Sequence, residues 1–349
     1  MSINQFTSLI SKRNGECSSL KSLVLMVVML VMTASSTFAQ ASFETIDGIR
    51  YLIDSDAKTA AVVPLSGDQK YSGDVVVPEK VKAQDGVEYP VTAFGDNAFK
   101  QCYNLTSISI PSAVTSLGES CFFGCSILTS VNIPSAVTSL GSYCFSWCSN
   151  LKSITITSSV TSLGNYCFEG CAKLTSINIP SSVTSLGDGC FSDCFKLTRI
   201  SIPSSVTSLG MHCFYNCAVL TRITIPSSVT SLGIDCFYNC AALTSITIPS
   251  SVKEIGSDCF RSCSNLKSTT FNGKCPKNTI NSNLITTCIL YVPKAYLQAY
   301  KDALGSKYQY IYASKDDGTG EDNPTQTCAT PTIIYADGEL QFASATEGA

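Results

Sequence analysis

An α/β solenoid is the fold this sequence predicts, and three observations predict it. From Cys121 to Cys263 the chain repeats every 23 residues; each repeat carries an apolar-x-Ile pair, usually closed by proline; each also carries a Cys-Phe-x-x-Cys block. Self-similarity at a short fixed period marks stacked units, because 23 residues cannot bury an apolar face alone and must share one core with their neighbours.

The elements follow in order within each unit. Leu105, Leu128, Leu151, Leu174, Leu197, Leu220, Leu243 and Leu266 open successive repeats of the form L-x-x-I-x-I-P, as in Leu174 to Pro180. Two apolar residues separated by one polar residue make a half-buried strand. Pro111, Pro134, Pro180, Pro203, Pro226 and Pro249 end that strand, since a residue without an N–H cannot donate to a ladder; Thr157 stands in this place once. A Ser/Thr-rich turn follows, then the Val114 to Val252 column, a Leu or Ile, and a glycine in the Gly118 to Gly256 column. That glycine fits either a positive φ or a close approach between coils. The Cys-Phe-x-x-Cys block has the i, i+1, i+4 apolar spacing of a single helical turn.

These residues resemble a known family. The segment Gly95-Asp96-Asn97-Ala98-Phe99, with Cys102, Leu105, Ile108, Ile110, Pro111 and Val114, is similar to the BspA-like leucine-rich repeat, a 23-residue type found in surface proteins of bacteria and some protozoa. The likeness runs from about Tyr71 to Ala313. It implies a leucine-rich-repeat solenoid with a parallel β-strand ladder on one face and short helical turns on the other. Residues 73–78 and 89–94 are similar to the first coil of such arrays, and Leu290 to Tyr300 to the last. One departure is visible: the family usually has alanine before the phenylalanine, as at Ala98, whereas seven later repeats carry cysteine.

The expected organisation is a signal peptide over 1–39; a solenoid over 40–313, with its first coil at about 71–104, repeats over 105–265 and a closing coil over 266–313; a linker over 314–327; and, over 328–349, the start of a truncated β-sandwich-like module. Lys12, Arg13 and Lys21 precede the apolar run Leu23 to Met32 and then Thr37-Phe38-Ala39, the layout of an export signal, and the run is too short to span a bilayer. The linker is rich in glycine and charge, and its carboxylate spacing is not that of an EF-hand. Ile333 to Phe342, with Asp337-Gly338 between, reads as a hairpin. Charged residues are 14% of the chain, and the net charge of −3 falls further once residues 1–39 are set aside. No basic patch offers itself to nucleic acid or an anionic membrane.

Nineteen cysteines in an exported chain invite a disulfide, metal or redox reading. Zinc sites favour paired C-x2-C sets, and the spacing here is C-x3-C with phenylalanine inside. Ala98 shows that the first position accepts a small apolar group with no bonding partner, so buried thiols are the expected state, with ladder disulfides as the alternative. The second cysteine column resembles the position where leucine-rich repeats place Asn or Cys to bond neighbouring backbone. Cys275 and Cys288 lie outside the columns, where a capping disulfide is conceivable. The single histidine, His212, sits at a variable position and reads as a surface residue; no nucleophile elbow, P-loop or dinucleotide motif is present, and no enzyme, cofactor or metal is expected.

What remains is surface. If the Ile pairs point inward, two columns of Ser, Thr and Asn point outward, interrupted by Arg199 and Arg222. Diversity gathers around Cys-Phe-x-x-Cys, where Tyr143, Trp147 and Tyr166 replace small or polar residues. Exposed aromatics serve either as recognition anchors or as covers over gaps between coils. The expected ligand-binding residues are therefore Tyr143, Trp147 and Tyr166, with Arg199 and Arg222 on the other face. The resemblance implies adhesion to an extracellular protein or glycan at the cell surface; the alternatives are a structural spacer displaying a downstream module, or the non-catalytic part of a larger secreted enzyme.

Overall fold

The structure, a computed structural model, describes residues 41–277, 279, 288–305 and 310–314, and the backbone of 333–336 and 339–342. The expected signal peptide, and the expected linker beyond Ser314, lie outside the described residues. The repeats wind into a solenoid whose coils are joined by three separate strips of inter-coil hydrogen bonds, each arising from a different part of the 23-residue unit.

The longest strip is one that the strand pattern did not announce. Two-residue Ser-Leu strands, from Ser116–Leu117 to Ser231–Leu232 and ending at Glu254–Ile255, pair in parallel and in register. They continue a sheet that begins with the antiparallel strands Ala41–Ile46, Ile49–Asp54 and Thr59–Val62, passes through Glu88–Phe94, and reaches twelve strands with Lys80–Lys82. The N-terminal strands thus cap the first coil.

The Ile-x-Ile strands do not form the single unbroken ladder expected of them. They divide into hydrogen-bonded groups: Gly73–Val76 with Leu105–Ser109; Ser130–Asn132 with Ser153–Thr155; Ser176–Asn178 through Arg222–Thr224; and Ser245–Ile248 through Ile311–Ala313. Ile154 and Ile177 consequently belong to different ladders. The strands are mostly three residues long and the proline that closes most of them contributes no donor, so each step rests on very few bonds. Inward and outward faces are as expected: Val131, Ile154, Ile177, Ile200 and Ile223 are buried, and the flanking Ser, Thr, Asn and Arg side chains are exposed.

The Cys-Phe-x-x-Cys blocks are turns, not helices. The residue before each cysteine takes a positive φ, as at Tyr143 and Trp147, Asp193, His212 and Asn216, and Asp235 and Asn239. A helix directs every amide back along its own chain, and left-handed residues at this spacing prevent that. Alternate amides instead cross to the next coil: Ser120 N to Ser142 O at 2.8 Å, Phe122 N to Cys144 O at 2.8 Å and Gly124 N to Ser146 O at 2.8 Å. The intervening amides close the turns, as Phe123 N to Ser120 O and Cys125 N to Phe122 O. This strip carries three bonds per step.

Between the strips lies a core built of columns. Phe99, Phe122, Phe145, Phe168, Phe191, Phe214, Phe237 and Phe260 stack with centroids 5.2–5.7 Å apart and planes within 8°. Each buried ring contributes roughly 2–3 kcal/mol by leaving water. Tyr71 and Phe94 pack on Phe99 at one end; at the other, Phe271 meets Tyr300 of a helix spanning Leu297–Leu304, and the Tyr300 hydroxyl donates to Gly273 O.

All seventeen cysteines among the described residues are free, and those of the two columns are buried. The second column bonds the preceding coil: Cys125 Sγ donates to Phe99 O at 3.1 Å, and the same contact recurs every 23 residues as far as Cys263 to Phe237 O. Cys275 and Cys288 are unbridged; Cys288 Sγ lies 3.4 Å from Thr269 Oγ1. At the far end, Ile333–Ala336 pairs antiparallel with Glu339–Phe342, while the Asp337-Gly338 turn and Cys328 lie outside the described residues.

The glycine column resolves its two readings in favour of close approach. A Cβ on Gly187 would lie 2.5 Å from Asn165 N and 2.6 Å from Gly164 C, and Gly141, Gly164, Gly233 and Gly256 meet the preceding glycine's coil in the same way. Gly187→Ala is expected to lower stability by about 2 kcal/mol or more through overpacking against backbone, whereas Ser185→Ala on the exposed face should stay within about 0.5 kcal/mol; urea unfolding measures both.

The thiols give a second expectation. Burial pushes Cys167, Cys171, Cys190 and Cys217 well above the ordinary thiol range, and neighbouring cysteines add to the shift. A folded pKa above the unfolded one means the native state holds its proton longer. That stability is present below the unfolded thiol pKa and lost as pH rises beyond it, so in reducing buffer the urea midpoint should fall steeply between about pH 8 and 10. Native protein should resist iodoacetamide, and denatured, unreduced protein should alkylate at nearly every column cysteine.

Candidate recognition surface

The turn strip is where the repeats stop being alike. Its two positive-φ columns read Asn97, Ser120, Tyr143, Tyr166, Gly189, His212, Asp235, Asp258 and Gln101, Gly124, Trp147, Gly170, Asp193, Asn216, Asn239, Ser262. Glycine, asparagine and aspartate tolerate the left-handed region; aromatic residues there are strained by on the order of 1 kcal/mol each. Tyr143, Trp147 and Tyr166 are retained despite that cost.

The aromatics are coupled to glycines of the following coil. The Tyr166 ring occupies the space that a Cβ on Gly189 would take, and the Trp147 indole that of a Cβ on Gly170. Tyr143 stacks on Tyr166 at 5.1 Å and 5°. Tyr166 is therefore covered on both sides, by Tyr143 and by Gly189, and acts as filler between coils; its edge alone reaches outward. Trp147 differs. One side of its indole lies against Gly170, and the residue remains 46% exposed.

Farther along, Tyr166, Glu169, Asp193, His212, Tyr215, Asp235, Tyr238, Asp258 and Arg261 line an open groove of about 430 Å³ across consecutive coils. Tyr215 stacks on Tyr238 at 4.8 Å, with the Arg261 guanidinium 5.9 Å from the Tyr238 centroid. The Ser146 hydroxyl donates to Glu169 Oε2 at 2.9 Å, yet burial raises the Glu169 carboxyl above its ordinary value and Asp193 adds to the rise. Asn216 Nδ2 donates to Asp193 Oδ1 at 2.7 Å, and Asn239 Nδ2 to Asn216 Oδ1 at 2.6 Å.

His212 lies at the surface, as expected, but not alone: its Nε2 stands 3.1 Å from Asp235 Oδ2, one coil away. No motif links the two in sequence. Reading the variable columns at 23-residue steps is the signal that exposes this pair, and it also brings Glu169, Tyr215, Tyr238 and Arg261 together. Among the described residues no group of three or more His, Cys, Asp or Glu is placed to hold a metal ion.

Arg199 and Arg222 are paired in register on the Ile-x-Ile sheet and exposed there, separate from the turn strip. The predicted site residues thus fall into two groups: Tyr143, Trp147 and Tyr166 share the turn strip, and the arginines share the sheet.

Comparison with known proteins places these features in a family. The sequence profile of the BspA type leucine-rich repeat region matches residues 92–219 and 184–293, in six copies. Among solved structures, a leucine-rich repeat protein from Bacteroides ovatus is 24% identical, covering 78% of this chain and 100% of its own, with a TM-score of 0.47. The T. pallidum leucine-rich repeat protein is 20% identical, covering 76% and 97%, at 0.44. A leucine-rich cell surface protein from Faecalibacterium prausnitzii is 22% identical, covering 79% and 96%, at 0.34. No curated protein matches. With the profile spanning more than half of its length, the chain belongs to the BspA-type leucine-rich repeat family.

Proposed function

We propose that this chain is an exported, non-catalytic recognition scaffold presented at the cell surface, with the turn strip as its binding face and an extracellular protein or glycan as its ligand. The observation that carries this reading is Trp147. A large aromatic side chain sits in a strained left-handed conformation with much of its surface in water, where neighbouring coils place glycine. Nothing in the core depends on that choice, since Gly124 and Gly170 hold the same position in the adjacent coils. Exposed aromatics with one face supported by backbone are favoured anchors, because their binding immobilises few rotors. The two sheet faces lack such contrast: they are runs of Ser, Thr and Asn broken by the arginine pair. An N-terminal charge-then-apolar segment in the sequence supports export.

The test is a glycan and extracellular-protein array probed with wild type, Trp147→Ala and Arg199→Ala, Arg222→Ala. Trp147→Ala should remain folded by circular dichroism and lose about thirtyfold in affinity, with the arginine variant unaffected. Loss confined to the arginine variant would move the site to the sheet; a wild-type chain that binds nothing would favour the spacer role.

A further inference from the structure

Resting on that reading of the turn strip, we infer that its ligand is an extended, uncharged polysaccharide lying along the solenoid axis over Tyr103, Trp147 and Phe195. Three features lead there. The first is exposure: these residues are 53%, 46% and 39% exposed, and all three belong to the turn strip, immediately before or after a second-column cysteine.

The second is orientation. The Trp147 indole lies over Gly170 of the next coil, and Tyr103 reaches toward Gly124 of its own next coil, its Cε1 3.6 Å from where a Cβ there would stand. The Trp147 indole, laid against glycine backbone and 46% exposed, presents a face to solvent, while Tyr103 and Phe195 contribute exposed ring surface on either side of it. The groove tyrosines are more enclosed: Tyr166 is covered by Tyr143 and Gly189, and Tyr215 and Tyr238 stack on each other with Arg261 beside Tyr238. A pyranose ring, whose C–H groups form an apolar face, is a natural complement to a flat aromatic platform, as is any ligand that stacks on the π surface.

The third is spacing. Tyr103, Trp147 and Phe195 occupy alternate coils, with Trp147 two positions to the side of the other two in the repeat, so successive platforms stand roughly 10 Å apart along the axis, twice the separation of adjacent strands. That is close to the length of one disaccharide in an extended β-linked chain, so consecutive platforms would meet every second sugar. Chemistry around the platforms suits hydroxyl groups and not a fixed charge. Gln101 and Asn150 lie beside them, Asn150 Oδ1 accepts from Lys173 Nζ at 2.6 Å, and Lys100, Lys173 and Lys196 alternate with Glu169 and Asp193. The strip has no single-sign field that would select a strongly ionic partner.

Trp147 is the only tryptophan of the chain, so its fluorescence reports directly on the middle platform. Purified protein is titrated with the β-1,4-linked hexamers and dimers of glucose and of N-acetylglucosamine. At least one hexamer should shift or quench the emission and bind about tenfold or more tightly than its dimer, because it reaches a second platform. Tyr103→Ala, read by the same fluorescence, should lower hexamer affinity about tenfold, with the far-ultraviolet circular dichroism unchanged. Hexamer binding unaltered in a Tyr103→Ala, Phe195→Ala variant would overturn the three-platform alignment. No response to any of the four probes would overturn the polysaccharide assignment; a protein ligand on the array that still depends on Trp147 would leave the recognition role of the strip standing.

Discussion

The close contact of glycine on glycine between successive coils is the constraint on which this solenoid depends. At Gly118, Gly141, Gly164, Gly187, Gly233 and Gly256 the amide donates to the preceding coil's Phe or Leu carbonyl at 2.8–3.1 Å, and no side chain larger than hydrogen fits. This contact fixes the distance between coils, and the other columns inherit it. The phenylalanine rings stack at 5.2–5.7 Å because their coils are held at that spacing, and each second-column thiol from Cys125 to Cys263 reaches the Phe carbonyl of the preceding coil for the same reason. A unit of 23 residues buries little by itself, so the energy of the fold resides in these repeated interfaces.

Cysteine fits this arrangement as a packing residue. The first column needs something small and apolar beside the glycine contact, which alanine supplies once, at Ala98, and cysteine seven times. The second column needs a small donor aimed at a carbonyl, and a thiol provides it. Burial holds these thiols protonated, and the thiolate is the reactive form, so depth in the core and chemical quiescence go together.

Much of the fold was legible because repetition turns one sequence into an internal alignment. The period, the inward Ile and Leu columns and the pairing of Arg199 with Arg222 all follow from comparing residues 23 apart, while the backbone-bonding role of the second cysteine came from the family resemblance. Two features did not follow. The i, i+1, i+4 spacing of Cys-Phe-x-x-Cys is shared by a helical turn and by a chain of tight turns, and what separates them is the backbone of the intervening residues: Tyr143 and Trp147 carry no glycine-like signature of a positive φ. The long ladder was also hidden, because Ser-Leu is too short to show a period of two, while the conspicuous Ile-x-Ile strands make the interrupted one. The candidate surface was half legible. Aromatic outliers stood out by size, but the free face of Trp147 and the covered faces of Tyr166 depend on glycines in the next coil, and the His212–Asp235 pair on a partner 23 residues away.

Hydrogen exchange of individual backbone amides under native conditions tests the primacy of the glycine contact most directly. The amides of Gly141, Gly164, Gly187 and Gly233 should exchange only through global unfolding, while amides of the Ile-x-Ile strands where ladders are interrupted, as at Ile154 to Ile177, should exchange sooner through local opening. Glycine amides that exchange as fast as those of the Ser/Thr-rich turns would contradict the account.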